Sequence, residues 1–301
     1  EMVKYAFELS ERLGLPVILR PTTRTCHACQ DIELAEGTER PRPPSGFEKS
    51  PNWVILPGLA LRRHAWLNQQ QEVARELLEE SGFNRLINLE GEHDQAEAGV
   101  IACGVSYNYI REALNLLWLK IPVLKIGTPY PLPVKPVLDF LTRVKRVLVV
   151  EEQEPAVEDQ VIALAWRNKI HTGISGKNDR LVPREGELNT DKVKTSLEKF
   201  LETASTVPEA AAAAPELPLR PPVLCAGCPH RASFYAFKEA ARGTDAIFSG
   251  DIGCYTLGVM APLNAVDTCL CMGAGISIAA GLHRAEPNRR QVAFVGDSTF
   301  F

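Results

Sequence analysis

The chain has 301 residues, a length that implies more than one domain. Hydrophobic residues make up 45% and charged residues 23%, which excludes a disordered or collagen-like chain. A net charge of -4 excludes the electrostatic footprint of a nonspecific nucleic-acid binder, and no apolar run approaches the ~18 residues of a membrane helix.

In chain order, Met2, Val3, Tyr5, Ala6, Leu9 and Leu13 predict a first helix. Pro16-Val-Ile-Leu-Arg20 predicts a short buried strand that gives way to a loop at Arg20-Pro-Thr-Thr-Arg24. Residues 38–53 are rich in proline and charge and predict a connector. An amphipathic helix is predicted over 69–81, with Val73, Leu77 and Leu78 on one face.

Between 93 and 204 strand and helix patterns alternate. Strands are predicted at Val100–Cys103, Pro122–Ile126 and Arg146–Val150, and helices at Tyr107–Leu119, Pro133–Leu141 and Ala156–Asn168. Such alternation implies parallel pairing with right-handed crossovers. An Ala/Pro linker follows over 205–222. The alternation then resumes: helix His230–Arg242, strand Ala246–Phe248, helix Gly273–Arg284 and strand Val292–Val295. The first residue falls within a predicted helix and the last within a strand running into a turn. The expectation is therefore an internal piece of a longer protein, and no signal-peptide pattern opens it.

The unusual residues concentrate in the last block. Cys225 and Cys228, spaced C-x-x-C in a Gly/Pro turn, could hold a metal or an iron-sulfur cluster, or be two ordinary buried thiols. Phe248-Ser-Gly-Asp-Ile-Gly-Cys-Tyr255 ends a strand in glycines that let a backbone approach a ligand; the alternative is a tight turn with a capping Asp251. Cys271-Met-Gly-Ala-Gly opens a helix with small residues and free amides suited to phosphate, or to close helix packing. Phe294-Val-Gly-Asp-Ser298 delivers a carboxylate at a strand end, where it could hold Mg²⁺ shared with phosphate oxygens. Elsewhere, Cys26 and Cys29 could bind a metal, but they lack a second pair nearby and are read as structural or accidental. His64 and His93 are read as ordinary surface or core residues. Glu151-Glu-Gln-Glu154 is read as a solvated strand-end loop, at a place where a ligand or partner could dock.

Taken together, Leu224–His230, Gly250–Gly258, Asn264–Gly273 and Gly296–Phe301 resemble the alpha subunits of indolepyruvate:ferredoxin oxidoreductases. These belong to the thiamine-diphosphate-dependent 2-oxoacid:ferredoxin oxidoreductase family. The resemblance extends upstream through Leu19–His27, Leu124–Pro133 and Val149–Pro155. It implies an α/β, multidomain, thiamine-diphosphate-binding (transketolase-like) fold, with parallel sheets carrying helices on both faces. Residues 1–60 would end a pyrimidine-binding domain, 61–92 would form a connector helix region, and 93–204 a transketolase-C-like α/β domain. Residues 205–222 would be the linker and 223–301 the start of a diphosphate-binding domain.

The implied activity is oxidative decarboxylation of arylpyruvates to aryl-acetyl-CoA and CO₂. Thiamine diphosphate carries the chemistry, and electrons pass through [4Fe-4S] clusters to ferredoxin. By position, Asp297 would bind Mg²⁺, and His230, Asp251, Gly253, Cys254, Gly273, Gly296 and Ser298 would contact the cofactor. Cys225, Cys228 and Cys254 match ligands of the cluster nearest the cofactor in relatives. The activating glutamate falls outside this sequence, and Met272 stands where several relatives carry histidine. A beta subunit, ferredoxin, coenzyme A and an arylpyruvate are the implied partners, and the cytoplasm the implied location, with no nucleic acid and no membrane. Two other readings stay open: another thiamine-dependent oxidoreductase or decarboxylase, and a noncatalytic iron-sulfur scaffold.

Overall fold

The computed structural model describes residues 1–33, 49–89, 91, 94–203, 218 and 221–301. Most of the predicted linker at 205–222, most of the connector at 38–53, and His93 lie outside the described residues. The chain divides into two compact units, Glu1–Ala211 and Ala212–Phe301.

The first unit opens with α1 (Met2–Leu13), stopped by Gly14 in the left-handed conformation at φ 63°. Pro16–Arg20 forms no strand and pairs with none among the described residues, contrary to the sequence expectation. Ile18 is 85% exposed, because an apolar strand is buried only when a neighbouring strand and a covering layer exist for it. A short α2 (Thr23–Cys26) follows, capped by the Thr22 hydroxyl. Next comes α3 (Pro57–Glu79), longer than its predicted segment because Pro57 occupies the first helical turn, where a missing N–H costs nothing. Leu9 and Leu13 of α1 pack on Ala74 and Leu78 of α3. His64 is an exposed residue of α3, and Cys26 and Cys29 are exposed free thiols.

The centre of this unit is a five-stranded sheet. Its chain order is β1 (Arg85–Ile87), β2 (Ala96–Cys103), α4 (Ser106–Leu116), β3 (Val123–Ile126), α5 (Val134–Arg143), β4 (Val144–Val150), α6 (Ala156–Arg167), β5 (Gly173–Ser175) and α7 (Thr190–Leu201). The spatial order is β1-β3-β2-β4-β5; β1 is antiparallel and every other pair is parallel. β1 and β5, three residues each, are too short to be foreseen, whereas α7 carries the helical spacing Val193, Leu197 and Phe200, a signal the sequence reading did not use. The central strands are apolar on both sides because helices cover both faces. On one face, Ile110, Ala113 and Leu114 of α4 and Val193 and Leu197 of α7 meet Val100, Leu148 and Val150. On the other, Val137 and Phe140 of α5 and Val157 and Val161 of α6 meet Ile101, Leu124 and Val149. Burial of such side chains contributes about 1.5–3 kcal/mol each.

Two polar details organise the carboxyl edge of this sheet. Pro155, ahead of α6, offers no side-chain cap. Glu151, just past β4, supplies one instead. Its carboxylate accepts the amides of Val157 at 2.9 and 3.0 Å and of Glu158 at 2.8 Å. Glu151 is therefore buried, which corrects the expectation of a wholly solvated loop at 151–154. Glu158, also buried, accepts the amides of Lys177 at 2.7 Å and Asn178 at 3.2 Å, tying α6 to the segment after β5.

The second unit comprises α8 (Pro229–Ala240), β6 (Ile247–Ser249), a 3-10 turn (Cys254–Val259), α9 (Ala274–Ala285), β7 (Gln291–Ala293) and α10 (Asp297–Phe300). β6 and β7 pair in parallel. Their core is aromatic: Phe234 of α8 lies 4.9 Å from Phe294, which stacks on Tyr255 at 5.3 Å and on Phe248 at 6.0 Å.

Candidate cofactor site

Parallel pairing puts the carboxyl ends of β6 and β7 at one edge of the second unit. Gly250-Asp251 leaves β6 there and Gly296-Asp297 leaves β7. The start of α9 reaches the same edge, and one side chain joins the three. The Asp251 carboxylate, 1% exposed, accepts the Gly273 amide at 2.8 Å through one oxygen and the Gly296 amide at 2.8 Å through the other. The two amides and the Thr299 side chain hold its carboxyl below the usual aspartate range, against the opposing effect of burial.

Two glycines are required by this arrangement. Gly273 caps α9 with φ 81°, a left-handed conformation that turns its amide onto Asp251. A Cβ on Gly275 would stand 2.7 Å from the carbonyl oxygen of Gly250, so only glycine lets the first turn of α9 rest on the end of β6. The small residues at 273–275 thus serve close packing, of a helix start on a strand end rather than of two helices.

The other predicted positions fall on the segments that follow the two aspartates, except His230, whose contacts are with Tyr255 and Cys228. Asp297 is exposed at the first position of α10, its Oδ1 accepting the Ser298 amide at 2.8 Å. Gly253 and Cys254 are exposed at the start of the 3-10 turn. That turn is anchored by Thr256, whose hydroxyl donates to the Asp251 carbonyl at 2.9 Å. The His230 ring packs edge-on against Tyr255 at 4.6 Å, with Nδ1 3.2 Å from Cys228 Sγ. Sequence reasoning missed Thr256 and Thr299; only their approach to Asp251 marks them.

The donor set fits a diphosphate with Mg²⁺. The edge carries backbone amides at a helix start and one exposed carboxylate, and Mg²⁺ bound to phosphate oxygens asks for only one or two protein carboxylates. It does not fit an iron-sulfur cluster. Among the described residues no group of three or more His, Cys, Asp or Glu side chains is gathered to hold a metal, so Cys225, Cys228 and Cys254 are not assembled as a ligand set. All three are free thiols. No described helix is long and apolar enough to cross a membrane.

Parallel strands with glycine loops at their carboxyl edge define an α/β protein with a ligand-binding edge. A family model for the thiamine pyrophosphate enzyme C-terminal TPP-binding domain matches residues 251–301, and one for the indolepyruvate oxidoreductase domain matches 88–216. The indolepyruvate oxidoreductase subunit IorA of Methanothermobacter thermautotrophicus is 41% identical, and that of Pyrococcus horikoshii 42%. Each alignment covers 100% of this chain and 48% or 49% of the relative. Over its whole length the chain is similar to these indolepyruvate oxidoreductase subunits, and it spans about half the length of those relatives. A solved 2-oxoglutarate:ferredoxin oxidoreductase from Magnetococcus marinus, with 2-oxoglutarate, coenzyme A and succinyl-CoA bound, is 17% identical. It aligns over 48% of this chain and 24% of its own, with a TM-score of 0.34.

Proposed function

We propose that the protein to which this chain belongs oxidatively decarboxylates arylpyruvates, indolepyruvate among them, to the acyl-CoA and CO₂. In this reading residues 223–301 hold the diphosphate end of thiamine diphosphate. The observation that carries the proposal is the Asp251 clip, which draws the Gly273 and Gly296 loops together beside Asp297. When bound, thiamine diphosphate supplies the electron sink that lets a 2-oxoacid lose CO₂.

The residues of this chain hold and orient. Asp297 provides the Mg²⁺ ligand, Gly296 the close approach of backbone to phosphate, and the start of α9 after Gly273 its amides. In this reading Ser298, Gly253, Cys254 and His230 also face the cofactor. Asp251 is a positioning residue, because both of its carboxylate oxygens are engaged by backbone amides. Residues 1–60 are assigned to the end of a pyrimidine-binding domain, 93–204 to a transketolase-C-like domain and 223–301 to a diphosphate-binding domain. Electron transfer to ferredoxin through iron-sulfur clusters, the coenzyme A step and pairing with a beta subunit in the cytoplasm belong, in this reading, to the whole enzyme.

The test is thermal unfolding of the full-length protein with thiamine diphosphate, with and without Mg²⁺. A rise in midpoint that needs Mg²⁺, and that is lost in Asp297→Asn, is expected. An unchanged midpoint in the wild type would refute the proposal. Comparing CO₂ release from indolepyruvate, pyruvate and 2-oxoglutarate then tests the arylpyruvate preference.

A further inference from the structure

The first unit has a cavity of its own, lined by none of the residues proposed to hold the cofactor. It measures about 300 Å³ and is walled by Arg20 and Arg24 with the threonines between them, by Tyr109 of α4, by Glu152 and Gln153 after β4, and by Glu187. Its position has a topological reason. The chain leaves β2 for β3 on one side and, after β3, crosses back to β4 on the other. Helix α4 therefore departs from β2 over one face of the sheet, while α6 departs from β4 over the opposite face. The divergence opens a crevice at the carboxyl ends of β2 and β4, where open α/β sheets take their ligands. Here the segment Arg20–Arg24 roofs that crevice.

The polar groups of the cavity are unequally satisfied. Glu187 pairs with Arg24 at 2.9 Å, and that guanidinium also lies over the Tyr109 ring at 5.8 Å. Glu152 accepts the Leu188 amide at 3.2 Å. Both acidic groups are thus engaged. Arg20 meets only the neutral amide oxygen of Gln153, at 2.7 Å, and among the described residues it has no carboxylate within ion-pair distance. Nearby at this carboxyl edge, Ser106 at the start of α4 is fully buried, its hydroxyl without a hydrogen-bond partner among the described residues. A guanidinium presents five donors in a planar fork and one neutral acceptor uses little of that capacity, whereas an oxyanion matches both its charge and its geometry.

We propose that this cavity binds a small organic oxyanion, a carboxylate or a phosphate ester, through the Arg20 guanidinium. The volume lies at the low end for small-molecule sites, which suits a compact metabolite better than a nucleotide. Gln153 orients the guanidinium, and the Arg24–Glu187 pair braces the roof. The proposal goes beyond the function proposed above and does not depend on it.

Phenylglyoxal modification of arginines in the full-length protein, read peptide by peptide by mass spectrometry, tests this locally. Arg20 should be modified about tenfold more slowly in saturating inorganic phosphate or acetate than in sodium chloride of equal ionic strength. Protection by phosphate alone identifies a phosphate-bearing ligand, and protection by acetate alone a carboxylate; either supports the site. The variant Gln153→Glu places a carboxylate against the guanidinium and should abolish anion-dependent protection while leaving the fold intact by circular dichroism. Equal modification of Arg20 in all three salts would overturn the proposal, as would undiminished protection in Gln153→Glu.

Discussion

Each unit of the molecule buries carboxylates against backbone amides, and the two settle the competition between burial and hydrogen bonding in opposite directions. In the first unit, burial dominates at Glu151 and Glu158. Both carboxyls are held above the usual glutamate range despite the amides of Val157, Glu158, Lys177 and Asn178. Lys177, enclosed in the same region, is pushed down by its own burial, with its Nζ donating to the Pro183 carbonyl at 2.5 Å. In the second unit, amide donation dominates at Asp251, whose carboxyl is held below its usual range. Glu151 and Glu158 cap a helix start and staple a loop inside a thick, helix-covered sheet. Asp251 sits at the rim of a two-stranded sheet, between loops whose shape depends on it. The same donor chemistry therefore makes scaffold in one place and a preorganised edge in the other.

Substitutions can break that comparison. The largest effect is expected from Asp251→Ala, which strands the Gly273 and Gly296 amides and should destabilise the second unit by about 3 kcal/mol. Denaturant unfolding measures it. If Asp251 only lines the site, stability stays unchanged while thiamine diphosphate binding alone is lost. Glu151→Ala removes the substitute cap of α6 and should cost about 2 kcal/mol by the same measurement, confined to the first unit. Asn189→Ala removes an ordinary cap, the side chain that accepts the Lys192 amide at 2.9 Å, and should cost about 1 kcal/mol.

The smallest effect at any one pH carries the sign of the contrast. The folded pKa of Asp251 is depressed, so its contribution is complete above about pH 4 and is lost as pH falls through the folded value. The folded pKa values of Glu151 and Glu158 are raised, so their contribution is complete below about pH 4 and is lost as pH rises through the folded values. The stability gap between wild type and Asp251→Asn should therefore shrink on acidification. The gap for Glu158→Gln should shrink as pH rises. Parallel trends in the two variants would show that the contrast is absent.

Much of the fold was legible because its signals are local and repeated. Val100–Cys103, Pro122–Ile126 and Arg146–Val150 are apolar on both faces, and that pattern demands helices above and below. β1 and β5, three residues each, carry no such signal and exist because an edge of the sheet was available to pair with. Pro16–Arg20 failed for the converse reason: it has the composition of a strand but no strand beside it. Cys103, at the end of β2, illustrates the same limit, since only burial inside the folded unit pushes its thiol up to about 12.

What the residues determined unaided was the kind of protein. Alternating apolar segments specify a parallel α/β architecture, and the glycine-preceded aspartates at 251 and 297 mark the ends of two of its strands. Tertiary structure alone decided what each carboxylate does. Asp251, Glu151 and Glu158 look alike in sequence as acidic residues near strand ends or helix starts. Their amide partners lie 6 to 45 residues away along the chain, and the balance between desolvation and those donors is set only when the segments meet.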